Sequence, residues 1–163
     1  MRYNKIRKMD ISNGEGVRVS IFFQGCIFHC KNCFNKETWD FNGGYEFNQD
    51  VIDKILELCD KSYITGLSIL GGEPLHKKNV NGVLELVKKF REKFKQTKTI
   101  WLWSGFLYED VKDYEVFSYI DVFIDGRFMQ DKYIPNLKWK GSSNQRVIDV
   151  KKTKKNKKIV LYC

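Results

Sequence analysis

Three cysteines fall within eight residues in the stretch Gln24-Gly25-Cys26-Ile27-Phe28-His29-Cys30-Lys31-Asn32-Cys33-Phe34-Asn35, with the spacing C-x3-C-x2-C. Thiolates are soft ligands suited to zinc and to iron–sulfur clusters. A closed zinc site takes a fourth Cys or His, commonly from paired CxxC elements, and no such partner stands nearby. His29 adjoins Cys30 and cannot easily point at the same metal. Cys59 falls on the apolar side of an amphipathic segment, as a small core residue would. Cys163 is the last residue, where fraying works against a fixed ligand, and His76 reads as a surface residue opening a helix. Three thiolates can hold a cubane of four irons by three corners. The fourth iron then stays open to an exogenous ligand, and an open coordination position marks a catalytic rather than a structural metal.

Further chemistry-bearing residues stand where apolar runs end. SYITGLSIL leads into Gly71-Gly72-Glu73-Pro74, where the two glycines permit close approach of a ligand to the main chain and Glu73 can accept a charge-assisted hydrogen bond. TIWLW (Thr99 to Trp103) ends in Ser104-Gly105, and IDVFID (Ile120 to Asp125) ends in Gly126-Arg127. Each of these stretches also reads as an ordinary turn or cap. The elements that must position them alternate. VRVSIFF (Val17 to Phe23) is a first strand running straight into the cysteine loop, and Val51, Ile52, Ile55, Leu58 and Cys59 have helical spacing behind Asn48 as N-cap. A second helix carries Val80, Val83, Leu84, Val87, Phe90 and Phe94 on one side; YEDVKDYEVF is a weaker one. RVIDV and KIVLYC are two short apolar runs with strand character, joined by a basic turn. Strands alternating with helices imply a parallel sheet with helices packed on it. A closed eight-fold barrel takes about 250 residues, so 163 residues predict a single-domain α/β fold, 1–163, built as a partial, open TIM-like barrel. Its reactive groups belong at the strand ends.

Bulk properties narrow the setting. Hydrophobic residues make up 42% and charged residues 30%, an ordinary globular mixture. No apolar run approaches the ~18 residues that cross a bilayer, and MRYNKIRKMD lacks the apolar core of a signal peptide. A cytoplasmic protein without a membrane partner is the expectation, and there clustered thiols point to metal or redox chemistry rather than disulfides. The formal charge is +9, with much of the excess in the basic C-terminal segment 151–163, KKTKKNKK above all. Without aromatic interleaving or a nucleic-acid motif, that run reads as a solvated turn, and nucleic acid is not expected as a partner.

The cysteine motif followed by Phe34 resembles the signature of the radical S-adenosylmethionine superfamily. GEGVRVSIFFQGC, CFNKETWDFNGG, GGEPL, WLWSGF, DVFIDGRF and GSSNQRVIDV, in that order, resemble the activating proteins of anaerobic (class III) ribonucleoside-triphosphate reductases over residues 14 to 150. The resemblance implies a [4Fe-4S] cluster in the loop 24–35 with Cys26, Cys30 and Cys33 as ligands, its open iron chelated by the methionine moiety of S-adenosylmethionine. It implies reductive cleavage to methionine and a 5′-deoxyadenosyl radical, which makes a glycyl radical on the partner reductase. A flavodoxin- or ferredoxin-type protein is the implied electron donor. Cofactor contacts would come from Asn32, Cys33, Phe34, Gly71, Gly72, Glu73, Ser104 and Asp125; Trp103, Phe106 and Trp139 are candidate docking aromatics. Arg18, Arg127, Gln145 and Arg146 receive no role. Two other readings remain open: an activator of another glycyl-radical enzyme of the pyruvate formate-lyase type, and a non-catalytic zinc or nucleic-acid-binding module.

Overall fold

The computed structural model describes residues 1–163. One seven-stranded mixed sheet is the frame, in the order β3-β1-β2-β4-β5-β6-β7, where β1 is Arg2–Asp10, β2 Arg18–Phe23, β3 Tyr45–Glu46, β4 Gly66–Gly71, β5 Thr99–Trp103, β6 Val122–Asp125 and β7 Arg146–Asp149. The strands β2, β4, β5 and β6 run parallel. β1 and β7 flank them antiparallel and do not pair with one another, so the sheet is open. Crossovers are made by α1 (Gln49–Cys59), α2 (Val80–Phe94) and α3 (Tyr108–Val111), and α4 (Val150–Asn156) follows the last strand. No helix is long and apolar enough to cross a membrane.

Strand alternation sorts the sheet into two unlike faces. Val19, Ile21 and Phe23 of β2, Leu67 and Ile69 of β4, Ile100 and Leu102 of β5 and Phe123 of β6 face the helices. They meet Ile52, Ile55 and Cys59 of α1 and Val83, Leu86, Val87, Phe90 and Phe94 of α2 in a core of 26 buried residues. As the periodicity predicts, Asn48 caps α1, its side chain accepting from the Val51 N–H, and Cys59 is wholly buried. The opposite face holds Arg18, Ser20, Phe22, Ser68 and Leu70 with a small aromatic-aliphatic cluster, Trp101, Val122, Ile124 and Val147, joined by Trp103 and Trp139. Trp103 and Trp139 are thus packed against this face, the Trp103 indole N–H donating to the Trp139 carbonyl at 2.7 Å, and are not freely exposed docking aromatics.

Three elements depart from the expectation. β1 carries five charged residues among its nine, so no apolar pattern announces it; it is an edge strand, held by β2 on one side and by β3 only at Arg2 and Tyr3. The lysine run is a helix rather than a turn. Asp149 caps α4 by accepting from the Lys152 N–H at 2.9 Å, and Val150 and Thr153 anchor the buried side while the lysines point to solvent. KIVLYC makes only one bridge, Leu161 to Ile148, instead of a strand.

Arg18, unassigned from sequence, closes the end of the inner face opposite the cysteines. It is 1% exposed and no carboxylate contacts it. Its Nε donates to Ser68 Oγ at 2.8 Å, Nη1 to the Glu15 carbonyl and Thr99 Oγ1, and Nη2 to the Leu67 and Thr99 carbonyls. Trp101 presents its ring 5.4 Å from the guanidinium carbon. Desolvation lowers the guanidinium to about 10, so the charge persists at neutral pH. The five-donor fork ties the starts of β2, β4 and β5 and the loop before β2, which no ammonium with three donors can do. Arg18→Met should therefore destabilise the protein by about 3 kcal/mol, leaving buried acceptors unpaired, and Arg18→Lys should recover less than half of that in urea denaturation. A loss below about 1 kcal/mol for Arg18→Met would show that these bonds do not hold the strand starts.

Candidate functional site

At the other end of the parallel strands, the backbone is stitched across three of them. Gly71 leaves β4 at φ +122°, where a Cβ would lie 2.3 Å from the Phe23 backbone. The Gly72 N–H then donates to the Phe23 carbonyl at 3.0 Å and the Glu73 N–H to the Gly25 carbonyl at 2.8 Å. A Cβ at Gly72 would strike the Gly25 carbonyl oxygen at 2.5 Å, so both positions require glycine. The Glu73 side chain, 0% exposed, accepts from the Gly105 N–H at 2.7 Å through Oε1, and from Ser104 Oγ at 2.8 Å and the Leu75 N–H at 2.9 Å through Oε2. Asn79 Nδ2 spans the Gln24 and Glu73 carbonyls. One carboxylate thus ties the end of β4 to the end of β5 and, through its own main chain, to the entry of the cysteine loop.

That loop is pinned at both ends. The Gly25 N–H donates to the Thr38 carbonyl at 2.6 Å and the Cys26 N–H to the Trp39 carbonyl at 3.1 Å, closing the loop onto a 3-10 turn at Lys36–Thr38. His29 and Asn32 take positive φ, 47° and 58°, and the Cys33 N–H donates to the Cys30 carbonyl at 3.1 Å. These reversals bring Cys26, Cys30 and Cys33, all free thiols, into the wall of one cavity of about 440 Å³. The same wall holds Gly71, Gly72, Glu73, Ser104, Gly105, Phe34 and Gly126, and no histidine or further cysteine. His29 is stacked on Trp39 at 4.4 Å. His76 is buried beside Phe41 rather than on the surface, its Nδ1 accepting from the Lys78 N–H. Burial pushes the thiols of Cys26 and Cys30 up, Cys30 further by its neighbour Cys33; metal binding must displace those protons. Three soft thiol donors share the wall without closing on a single metal-ion position, a donor set that suits a thiolate-bound cluster. Trp39, also in the wall, keeps its indole N–H buried without a partner in the chain.

Not every expected contact residue reaches this cavity. Phe34 stands at its rim, 64% exposed, with Phe128 at 5.0 Å and Tyr133 at 6.1 Å, so it is not core packing. Asn32 is exposed and outside the lining; Asn35 is inside it, its N–H donating to Cys33 Sγ at 3.4 Å. Phe106 packs edge-on against Phe28. Asp125 is fully buried but is not part of the wall. Its carboxylate receives Arg146 Nε at 3.1 Å, Arg146 Nη2 at 2.5 Å and the Tyr108 N–H at 2.9 Å, and Arg146 also reaches Glu109 at 2.7 Å. The wall residue is its neighbour Gly126, whose carbonyl receives Gln145 Nε2 at 3.0 Å while Gln145 Oε1 accepts from the Gly141 N–H at 2.9 Å. Gln145 and Arg146, without a role in the sequence reading, are therefore the braces of the β6 end. Their partners lie 3 to 37 positions away, and the bonds that reach Gly126, Asp125 and Glu109 have no signal in the local sequence.

Comparison with known proteins places this geometry in context. Residues 12–148 match the family described as a 4Fe-4S single cluster domain. A protein of Enterobacteria phage T4 is 39% identical over 148 residues, 90% of this chain and 93% of the relative. One from Vibrio cholerae serotype O1 is 38% identical over 149 residues, 89% and 96%, and one from Salmonella typhi 39% over 151 residues, 90% and 97%. All three carry the name anaerobic ribonucleoside-triphosphate reductase-activating protein.

The charge of Glu73 is a measurable property of this site. Complete burial raises its carboxyl from 4.5 to about 7, against the pull of the Gly105, Leu75 and Ser104 donors. In the unfolded chain it ionises near 4.5, whereas the folded protein resists ionisation until about 7. Its contribution to folding is therefore fully retained below 4.5, falls as pH rises through this window, and levels off above it; the whole effect is on the order of 3 kcal/mol. Melting of the cofactor-free protein from pH 4.5 to 7.5 should show this decline, and Glu73→Gln, less stable because the amide cannot accept from every donor, should flatten it. Parallel pH profiles for the two proteins would assign the shift elsewhere.

Proposed function

Since the chain belongs to the family of anaerobic ribonucleoside-triphosphate reductase-activating proteins, we propose that it activates an anaerobic ribonucleotide reductase by generating a glycyl radical on that partner. The observation that carries this reading is the convergence of three thiols, and no fourth metal-ligating Cys or His, on one open cavity beside a buried carboxylate. When bound, the [4Fe-4S] cluster and S-adenosylmethionine supply one-electron reductive cleavage of the sulfonium S–C5′ bond, giving methionine and a 5′-deoxyadenosyl radical that abstracts the partner's glycine α-hydrogen.

In this reading Cys26, Cys30 and Cys33 hold the cluster and leave one corner to the cofactor. Glu73, fully buried and already taking three donors on its carboxylate, would present its main chain to the methionine moiety and hold Ser104 and Gly105 in place. Gly71 and Gly72 bring main chain rather than side chain to that end of the cavity, and Ser104 is held by Glu73 at its edge. Phe34 offers an apolar surface to the adenine at the rim, with the 32–35 turn beneath it. Asp125 acts at one remove, by bracing Gly126 through Arg146. The four parallel strands whose ends surround a single cavity in an unclosed sheet support the partial-barrel architecture, and the open mouth would admit a protein segment. A flavodoxin- or ferredoxin-type protein would deliver the electron.

Anaerobic reconstitution with iron and sulfide should give a brown protein with about four irons per chain that cleaves S-adenosylmethionine under dithionite. Single Cys26→Ala, Cys30→Ala and Cys33→Ala variants should each fall below about a tenth of that cleavage, while Cys59→Ala and Cys163→Ala should keep their iron. Co-incubation with the reductase should produce the doublet of a glycyl radical in electron spin resonance. Cleavage surviving in all three loop variants, or a lone zinc bound in anaerobically prepared protein, would overturn the assignment.

A further inference from the structure

The cavity that holds the cysteines extends along the inner face of β1, where its wall is made by Lys5 and Arg7. Register explains their position. Lys5 pairs with Phe22 and Arg7 with Ser20, whereas Ile6 pairs with Ile21 of the helix-packed face. Alternation therefore turns two cations of an edge strand toward the cavity. Both sit on the Phe22 ring, Lys5 Nζ at 4.8 Å and the Arg7 guanidinium carbon at 5.0 Å from its centroid. Each charge has one carboxylate at ion-pair distance but none in hydrogen-bond contact. The nearest carboxylates are Glu37, 3.7 Å from Lys5, and Asp10, 3.8 Å from Arg7, both beyond hydrogen-bonding distance. Asp10 is already occupied by Ser12, Asn13 and Ser20.

We propose that Lys5 and Arg7 form an anion-recognition site that receives a carboxylate side chain of the partner polypeptide next to the glycine brought to the cavity. This rests on the function proposed above, and adds to it the chemistry by which the substrate segment is selected. The sheet is open on the side of β1, whose outer backbone is unpaired beyond Tyr3, so an extended segment can approach along that edge. A guanidinium and an ammonium, two positions apart on one face and backed by an aromatic ring, present unused donors to whatever enters. An acidic side chain that fills them fixes how far the segment advances, and so which residue stands at the reactive end. Cationic side chains turned inward on an edge strand also discourage strand-on-strand aggregation, and the two roles separate experimentally.

The test compares reconstituted wild type with Lys5→Gln/Arg7→Gln and Lys5→Glu/Arg7→Glu double variants. Binding to the reductase is measured calorimetrically across salt concentrations with the cluster unreduced, and glycyl-radical formation by spin resonance across reductase concentrations. The expected result is a dissociation constant raised at least about tenfold in the Gln variant and further in the Glu variant, with a flattened salt dependence. The half-saturating reductase concentration should rise in step, and the radical yield at saturating reductase should fall because the glycine is no longer held in register at the reactive end. Replacing an acidic residue near the partner's glycine by lysine should restore binding to the Glu variant. Unchanged binding overturns the site, and aggregation of the Gln variant with unchanged affinity in its soluble fraction assigns the cations to edge protection. A weakened affinity for S-adenosylmethionine with unaltered reductase binding assigns them to the cofactor's carboxylate and also overturns it. If wild type binds the reductase with this salt dependence but forms no radical, the recognition site stands and the proposed function fails.

Discussion

A single buried carboxylate sets the geometry on which the rest depends. Glu73 draws the ends of β4 and β5 together through Gly105, Ser104 and Leu75, while its own N–H takes the Gly25 carbonyl at the mouth of the cysteine loop. Burying such a group is expensive unless it is fully hydrogen-bonded, and the raised carboxyl pKa is the residue of that expense. The two glycines that precede it are a consequence. Only a chain without Cβ at 71 and 72 can pass close enough to Phe23 and Gly25 for the stitch to form. The cysteines are thus aimed from the sheet, through backbone bonds, and not by packing of their own.

The two faces of the sheet do different work. On the helix side, alternating apolar residues of four parallel strands meet the apolar faces of α1 and α2 in the main core. On the other side, one end is occupied by the Arg18 guanidinium and its carbonyl and hydroxyl acceptors, the other by the thiols, and the space between by tryptophans and by the cations of β1. Placing a charged but fully satisfied group at the closed end keeps apolar mass out of the cavity without leaving an unpaired polar group. The fold therefore separates what stabilises it from what it offers to a ligand.

Much of this was legible from residue order, and the exceptions have physical causes. The parallel strands announce themselves as short apolar runs ending in turn residues, the two long helices by an apolar period of 3.6, and the thiols because their type and spacing are local. β1 stays hidden because Arg2, Lys5, Arg7, Lys8 and Asp10 mask an edge strand whose inner face lines a cavity rather than a core. The Lys151–Lys158 run looks like a loop because its capping Asp149 and its buried Thr153 are single residues in a basic background. Arg18, Gln145 and Arg146 are illegible for another reason. Their bonds span up to 81 positions, so their purpose exists only once the strands are side by side. Asp125, conspicuous at a strand end, is diverted from the cavity by that same unseen arginine.

The cysteine loop contributes no side chain to the 26-residue apolar core; its three thiols line the cavity instead. Folding and metallation are for that reason separate events. Loss of a cluster would leave the sheet and core assembled, with the three thiols still held in the cavity wall by the backbone bonds of Gly25, Cys26 and Glu73.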